Sequence, residues 1–192
     1  MTATKTKSEL SAHLAACESF AASAPGAEWL RTLRRNGVTH FTELGFPTTK
    51  LEDWIYCNVA PIAKLAFNPA ASADASVTAK QLAPFAFPGW TVSRLVFVNG
   101  HFAPALSVLP TPQTGVTITN LAAALASGDK LVQAHLAHHA GLDASGFSAL
   151  NTAFIADGAF IALAPNAVAA EPVHLLFVSA PGDAVNTAQP RN

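Results

Sequence analysis

Three histidines close together are the most obvious candidates for chemistry in this 192-residue sequence. His135, His138 and His139 have the spacing i, i+3 and i+4, so a helix would place His135 and His139 on one face. Two imidazoles at that spacing suit Zn²⁺, but the glutamate of an HExxH pattern and a third ligand nearby are missing. The simpler interpretation is a solvated helix end, where histidines interact weakly with the helix dipole. We therefore assign no metal ligand.

The other reactive side chains lack the partners that catalysis or cofactor binding needs. No local signature around Cys17 or Cys57 supplies the partner base and the electropositive setting of a catalytic thiol, and we interpret both as structural. His174 lies within an apolar stretch and is predicted to be a hydrogen-bonded core residue. The sequence has no GxGxxG, GxxxxGK or nucleophile-elbow pattern, and its acidic residues are scattered. We predict no catalytic, cofactor-binding or metal-binding residue, and no enzymatic activity.

The composition limits the classes of partner. Charged residues make up 12% of the chain and apolar residues 51%, so there is little charge with which to cover a surface. A net charge of −1, with no basic cluster beyond Arg34-Arg35, argues against a nucleic-acid partner. No apolar run approaches the roughly 18 residues of a membrane helix, and the N-terminus lacks a signal-peptide pattern. We predict a cytoplasmic protein.

The elements that would position these residues begin with helices. A helix is predicted over residues 6–23, with Thr6 and Glu9 as a capping box. Its apolar face would carry Leu10, Leu14, Cys17 and Ala21. A second helix is predicted from Pro25 to Asn36-Gly37, and a short third helix capped by residues 49–52. Residues 68–80 are small and polar and are predicted to form a loop.

A β-rich part follows. Strands are predicted at Val92–Asn99, which ends in an Asn99-Gly100 turn, and at Gly115–Thr119. Helices are predicted at Leu121–Ala126 and Asp129–Ala140. Helices first and strands second indicate an α+β fold, with a helical region over residues 1–90 and a β-rich region over 91–192.

Residues 149–179 are nearly continuous apolar sequence with three turn signals, at Asp157-Gly158, Pro165-Asn166 and Glu171-Pro172. Short runs between such signals predict consecutive coiled strands. In the last run Val173, Leu175 and Phe177 would face one side, with His174, Leu176 and Val178 opposite. Two largely apolar faces are typical of parallel sheets. Alternatively, the Asp-Gly pair closes an antiparallel hairpin between Ala153–Ile155 and Phe160–Ala162.

Three segments in this order carry a family resemblance: FPTTKLEDWIYCNVAPI at 46–62, RLVFVNGHF at 94–102 and LNTAFIADGAFIALAPNAVAAEPVHLLFVS at 150–179. The first resembles the P-T-x-K-x-E-x-W-x-Y segment of SufD proteins, and the second resembles their first strand segment with its Asn-Gly turn. The third, through LN-x-AF-x-x-DG, resembles the start of the β-helical core shared by SufB and SufD. The helical beginning of the chain fits SufD better than SufB.

The resemblance implies a scaffold subunit of the SUF iron–sulfur cluster assembly system. A right-handed parallel β-helix would pair with SufB, and the SufC ATPase would bind C-terminal helices. The cluster belongs to the full complex, so the resemblance implies no cofactor in this chain. Only packing and capping roles are expected for the residues that match the first motif: Phe46, Pro47, Lys50, Glu52, Trp54 and Tyr56.

The length of the chain departs from the family. A full SufD is more than twice as long, so we expect an N-terminal fragment that lacks most partner contacts. Its last strands would present an open apolar edge, and we expect the isolated chain to self-associate. Two other classes of function stay open: a β-helical enzyme, although clustered carboxylates and hexapeptide periodicity are absent, and a stand-alone module that binds protein through its apolar surface.

Overall fold

Helices and short strands alternate along the chain in a computed structural model that describes residues 3–65, 68–70, 76–88, 92–180 and 187–188. The α-helices are α1 (Ala3–Ser23), α2 (Glu28–Leu44), α3 (Ala60–Ala63), α4 (Ala79–Leu82), α5 (Leu121–Ser127), α6 (Lys130–His135) and α7 (Gly146–Ala153). The strands are β1 (Asn68–Pro69), β2 (Ser93–Val98), β3 (His101–Phe102), β4 (Val116–Asn120), β5 (Ala159–Leu163), β6 (Val173–Val178) and β7 (Thr187–Ala188). Helices and small sheets together agree with the predicted α+β class.

The chain divides into two compact units, each built from separated segments. The first comprises Met1–Pro69, Asp129–Ile155 and Asn186–Pro190, and the second comprises Ala70–Gly128, Ala156–Val185 and Arg191–Asn192. The division near residue 90 that the sequence favours stays a prediction. Within the described ranges, no helix is both long enough and apolar enough to cross a membrane.

Helices α1, α2 and α7 form the core of the first unit. Leu10 and Cys17 of α1 are buried, as the helical spacing predicts, and Leu10 packs with Phe41 of α2 and Ala149 of α7. Cys17 packs with Ala153 and Phe154, while the Phe154 ring meets the Phe20 ring edge-on at 5.3 Å. The helix begins at Ala3, so Thr6 lies inside it and the predicted capping box at its start is wrong.

Helix α2 starts at Glu28, after Pro25, and passes through Asn36-Gly37, where the sequence predicted its end. Gly37 is where α2 approaches the backbone of α7: a Cβ added there would lie 2.6 Å from the Ala153 nitrogen. This glycine therefore permits a helix contact and does not stop the helix. The helix ends at Gly45, whose φ is 62° and whose N–H donates to the Phe41 carbonyl at 2.9 Å.

Residues 146–153 are helical, so the predicted strand from Ala149 is wrong, and so is the hairpin across Asp157-Gly158. The Ser145 hydroxyl caps α7 by accepting a hydrogen bond from the Ser148 nitrogen at 3.2 Å. Ala149 and Ala153, four residues apart, are completely buried on one face of the helix. The apolar run is thus a helix of small residues that fits against α2.

Three further predictions change in detail. A single 3₁₀ turn at Glu52–Trp54 replaces the third helix, and its N-cap has no side-chain hydrogen bond. Helix α6 ends at His135, so residues 136–140 lie beyond it. In the predicted loop over residues 68–80, Asn68 and Pro69 pair in parallel with Thr187 and Ala188, and α4 begins at Ala79. Residues 71–75 of this loop lie outside the described part of the chain.

A three-stranded sheet in the order β3-β2-β6 organises the second unit. Strand β2 confirms the predicted strand at 92–99, and its Asn99-Gly100 turn, with φ angles of 52° and 85°, returns the chain antiparallel as β3. Strand β6 pairs with β2 in parallel, from Ser93↔Val173 to Val98↔Val178. Strand β4, also predicted, pairs antiparallel with β5. The predicted helix at 121–126 is α5.

The β2–β6 pairing fixes the two faces of the sheet. Val96, Val98, Leu176 and Val178 pack on one side with Leu82 and Ala103, as the predicted alternation requires. On the opposite side the Phe97 and Phe177 rings stack at 5.0 Å. Residues 159–179 contain two strands, with the predicted turn at Pro165-Asn166 between them. The last apolar run is therefore a parallel strand of this sheet.

The close approach at Gly37 generates a test of helix packing. Gly37→Ala should lower the free energy of unfolding by about 1–3 kcal/mol, because overpacking against the α7 backbone outweighs the ~1 kcal/mol by which alanine favours a helix. Urea denaturation followed by circular dichroism measures the change. Gly141→Ala is the matched control, since a Cβ at Gly141 meets nothing within 4 Å. A Gly37→Ala variant as stable as the parent would contradict the close contact.

Candidate functional site

A buried carboxylate connects the segments of the second unit. Asp157 is only 8% exposed. Its Oδ2 accepts from the Phe102 nitrogen at 2.9 Å, and its Oδ1 accepts from the Asn120 side-chain amide at 2.9 Å and from the Ala122 nitrogen at 3.0 Å. The Gly158 nitrogen donates to the same Oδ1 at 2.9 Å. One side chain thus joins β3, the end of β4, the first turn of α5 and the start of β5.

The hydrogen bonds to Asp157 define what this residue can do. Ala122 is in the first turn of α5, whose N-cap Asn120 makes no side-chain cap hydrogen bond, so Asp157 caps this helix from a distant segment. Four donors surround the carboxylate and compensate for its removal from water. A carboxylate engaged in this way is a structural anchor and is unsuited to proton transfer or metal binding.

A buried arginine plays a similar part in the first unit. Arg34 is 2% exposed, and its Nε donates to the Ile155 carbonyl at 2.8 Å. Its Nη1 donates to the carbonyls of Pro25 at 2.8 Å and Ala24 at 3.3 Å, and its guanidinium lies 5.5 Å from the centre of the Phe20 ring. Burial, with a smaller effect from Arg31, lowers the pKa of Arg34. The guanidinium is committed to main-chain carbonyls and joins α2 to the chain after α7.

The residues of the first family motif separate into a packed set and an exposed set. The Phe46 ring meets Phe41 edge-on at 5.2 Å and Phe147 at 5.5 Å, and Trp54 lies 5.5 Å from Phe147. Pro47 is buried as well. In contrast, Lys50, Glu52 and Tyr56 are exposed, and Tyr56 is 98% accessible. Packing explains the aromatic residues and Pro47, whereas nothing in the structure explains the exposed three.

The two cysteines occupy opposite environments. Cys57 is exposed, while Cys17 is fully buried in the α1–α7 contact. Burial, reinforced by the nearby Glu18 carboxylate, raises the pKa of the Cys17 thiol to about 12. A thiol that stays protonated at neutral pH is a poor nucleophile and a poor metal ligand. The structural role predicted for Cys17 fits this environment.

The histidines do not assemble a conventional metal centre. His135 is the last residue of α6, and His138 and His139 lie in the turns that follow, yet the His135 and His139 rings stack 6.0 Å apart. In the residues that the structure describes, no group of three or more His, Cys, Asp or Glu side chains is arranged to hold a metal ion. His174 is half-buried, with its ring edge-on to Phe87 at 4.9 Å, and its Nδ1 lacks the predicted hydrogen bond.

Sequence reasoning missed both buried charged residues. The sequence indicates Asp157 only as half of a turn signal, and Arg34 only as half of a two-residue basic cluster. For Arg34 a signal was present, since it is four residues after Leu30 and so falls on the apolar face of α2. For Asp157 the sequence offers no comparable signal, because three of its four partners lie 35 to 55 residues away.

Comparison with known proteins identifies the class to which this framework belongs. Residues 13–175 match the family described as the SufBD protein N-terminal region. The chain is also 31% identical over 164 residues to the iron–sulfur cluster assembly SufBD family protein of Synechocystis sp. (strain ATCC 27184 / PCC 6803 / Kazusa). That match covers 82% of this chain but 34% of the relative.

The chain therefore belongs to the SufBD family and corresponds to its N-terminal region. The three ordered motifs identified in the sequence lie within or just beyond the matched residues. In the structure their buried members build the helical core, the β2–β3 hairpin and the Asp157 anchor. The part of the family fold seen here is a framework of packing contacts.

The Asp157 anchor generates a test of stability. Asp157→Ala should lower the free energy of unfolding by at least about 3 kcal/mol, because the Phe102, Ala122 and Gly158 amides each lose their acceptor at a cost of about 1–3 kcal/mol. Chemical denaturation measures the loss. Asp53→Ala, at an exposed acid, is the matched control and should stay within about 0.5 kcal/mol of the parent. Equal effects of the two substitutions would show that Asp157 anchors nothing.

The environment of Cys17 generates a test of alkaline stability. The unfolded thiol ionises above pH ~8.5, whereas the folded thiol, with its raised pKa, does not, so stability is lost as the pH rises. Between pH 8 and pH 10 the free energy of unfolding should fall by about 1–2 kcal/mol through this residue. Cys17→Ala should remove that part of the pH dependence, and Cys57→Ala should leave it unchanged. Urea titrations at both pH values decide the outcome.

Proposed function

We propose that this chain is the N-terminal part of a SufD-type scaffold subunit for iron–sulfur cluster assembly. Membership of the SufBD family supports a role in cluster assembly, and the helical start of the chain favours the SufD branch. Because the chain spans about a third of the relative's length, its partners are proposed for the longer protein. They are a SufB-like subunit and a SufC-like ATPase, in the cytoplasm.

The observation that carries this proposal is the parallel pairing of β6 at the edge of its sheet. In a right-handed parallel β-helix, each rung adds a strand parallel to the one before it. Strand β6 is added to β2 in this manner over six residue pairs, although the two strands are far apart in the sequence. Within the described ranges no strand pairs with the outer side of β6. We therefore propose that the sheet continues there as the β-helix of the family.

The hydrogen-bond pattern identifies which residues would accept the next strand. The Ser93 nitrogen donates to the Pro172 carbonyl at 3.1 Å, and the Asn99 nitrogen donates to the Val178 carbonyl at 2.9 Å. Even-numbered residues of β6 thus exchange hydrogen bonds with β2. The main chain of Val173 and Leu175 points to the other side, and the Leu175 side chain is 37% exposed. Leu175 can therefore be changed without touching a hydrogen bond of the existing pair.

The proposed role is that of a scaffold without chemistry of its own. The buried Asp157 carboxylate and the buried Cys17 thiol are both unsuited to catalysis, for the reasons given above. The cluster would be cargo held by the assembled complex, and this chain alone is expected to bind no cluster. The alternative, a stand-alone binding module, draws support from the apolar side chains exposed near the 3₁₀ turn: Leu51, Ile55 and Tyr56.

A chimera tests the proposal. In it this chain replaces the segment that it matches in the Synechocystis protein, and the product is co-expressed with SufB-like and SufC-like subunits. We expect the parent chimera to co-purify with both. Leu175→Pro removes an outward N–H that the next rung requires, so this variant should lose at least about 90% of the co-purified subunits, since a central strand does not tolerate proline.

Leu175→Ala is the matched control, because it removes the same side chain but keeps the N–H. It should co-purify as the parent does. Circular dichroism and size-exclusion chromatography report folding in each case. A Leu175→Pro chimera that co-purifies normally would argue against a strand added at β6. A folded parent chimera that binds neither subunit would argue against the scaffold role itself and leave the binding module as the better account.

A further inference from the structure

We infer that His135 and His139 form a two-histidine surface site for a divalent cation of the borderline class, Cu²⁺, Ni²⁺ or Zn²⁺. The site lies at the C-terminal end of α6 and uses no residue of the buried framework or of β6. This metal site goes beyond the proposed scaffold function, and each of the two proposals can be refuted without affecting the other. Three structural observations support it: the arrangement of the rings, their accessibility and the backbone at Ala137.

The two imidazole rings are already side by side. Their centroids are 6.0 Å apart and their planes differ by only 10°. Both residues are exposed, and within the described residues neither ring has a hydrogen-bond or ion-pair partner. Rotation of exposed side chains is fast, so one nitrogen of each ring can reach about 2.0–2.1 Å from a single ion. Water would fill the remaining coordination positions.

The backbone at Ala137 produces this arrangement. Ala137 has a φ of 61°, in the left-handed region that residues with a Cβ rarely adopt. Helix α6 has already ended, because Leu136 is extended at φ −61° and ψ 128°. The chain therefore turns back after α6, and the His138 nitrogen donates to the His135 carbonyl at 3.1 Å. A strained residue between two stacked histidines is a feature to explain by function.

The ligands determine the class of ion. Imidazole nitrogen suits Cu²⁺, Ni²⁺ and Zn²⁺, and the general order of affinities places these ions above Fe²⁺ and Mn²⁺. In the part of the chain that the structure describes, no carboxylate completes the pair, so Mg²⁺ and Ca²⁺, which prefer oxygen ligands, are disfavoured. With two protein ligands the ion stays open to exchange. The site is suited to reversible capture of a metal ion rather than to a structural role.

Calorimetric titration of the untagged chain with Zn²⁺, and its retention on an immobilised Ni²⁺ column, test the site. We expect one ion per chain. His135→Gln and His139→Gln should each lower the Zn²⁺ affinity by at least about tenfold, since even changes outside the ligand set cost about 10- to 100-fold. His138→Gln is the matched control from the same turn and should keep the affinity of the parent.

A second pair of variants tests the geometry while both histidines stay in place. Proline at position 137 fixes φ near −65° and cannot adopt the observed turn, so Ala137→Pro should lose binding. Glycine accepts a positive φ without strain, so Ala137→Gly should bind as the parent does. Circular dichroism confirms that each variant is folded. Any of three results would overturn the inference. Zn²⁺ binding could survive in both His135→Gln and His139→Gln, it could be weakened equally by His138→Gln, or it could persist in Ala137→Pro.

Discussion

The second unit depends on the hydrogen bonds that three main-chain amides and one side-chain amide donate to a single buried carboxylate. An isolated carboxylate cannot be taken out of water without donors, and Asp157 obtains them from Phe102, Asn120, Ala122 and Gly158. Two distant stretches of chain, at Phe102 and at Asn120–Ala122, supply three of these donors, and the neighbouring Gly158 supplies the fourth, so the carboxylate ties both distant stretches to its own segment. Asp157 therefore links three elements: the β2–β3 hairpin, the first turn of α5 and the start of β5. Strand β2 of this hairpin is also the central strand of the β3-β2-β6 sheet.

The first unit meets the corresponding requirement with a cation. Among the described residues no carboxylate pairs with Arg34, and its guanidinium donates to the main-chain carbonyls of Ala24, Pro25 and Ile155. Both units thus use a buried ionic side chain to organise the backbone. In a chain with 12% charged residues, two of these few charges are spent on internal architecture. Apolar side chains are exposed in the segment around Tyr56, among them Leu51 and Ile55.

Local sequence patterns predicted the elements whose signal is local. The apolar face of α1, the strand β2 with its Asn99-Gly100 turn, and strand β4 all follow from spacing and turn chemistry over a few residues. Helix α7 and the continuation of α2 through Gly37 do not follow from local patterns. Both depend on the packing of α2 against α7, which favours a glycine in one helix and small residues in the other. No functional site was predicted. The burial of Asp157 has no local signal, because three of its four partners are distant in sequence, whereas the position of Arg34 four residues after Leu30 does indicate the buried face of α2.

The parallel pairing of β2 with β6 has a consequence for synthesis on the ribosome. Ser93 is 80 residues ahead of its partner Val173. At about 5–20 residues per second, β2 must wait roughly 4–16 s before β6 is made. During that time the residues Leu95–Val98, all completely buried in the finished fold, lack their partner strand. The early hairpin with β3 shields one edge of β2 only, so the nascent chain is a natural client for chaperones that bind apolar segments.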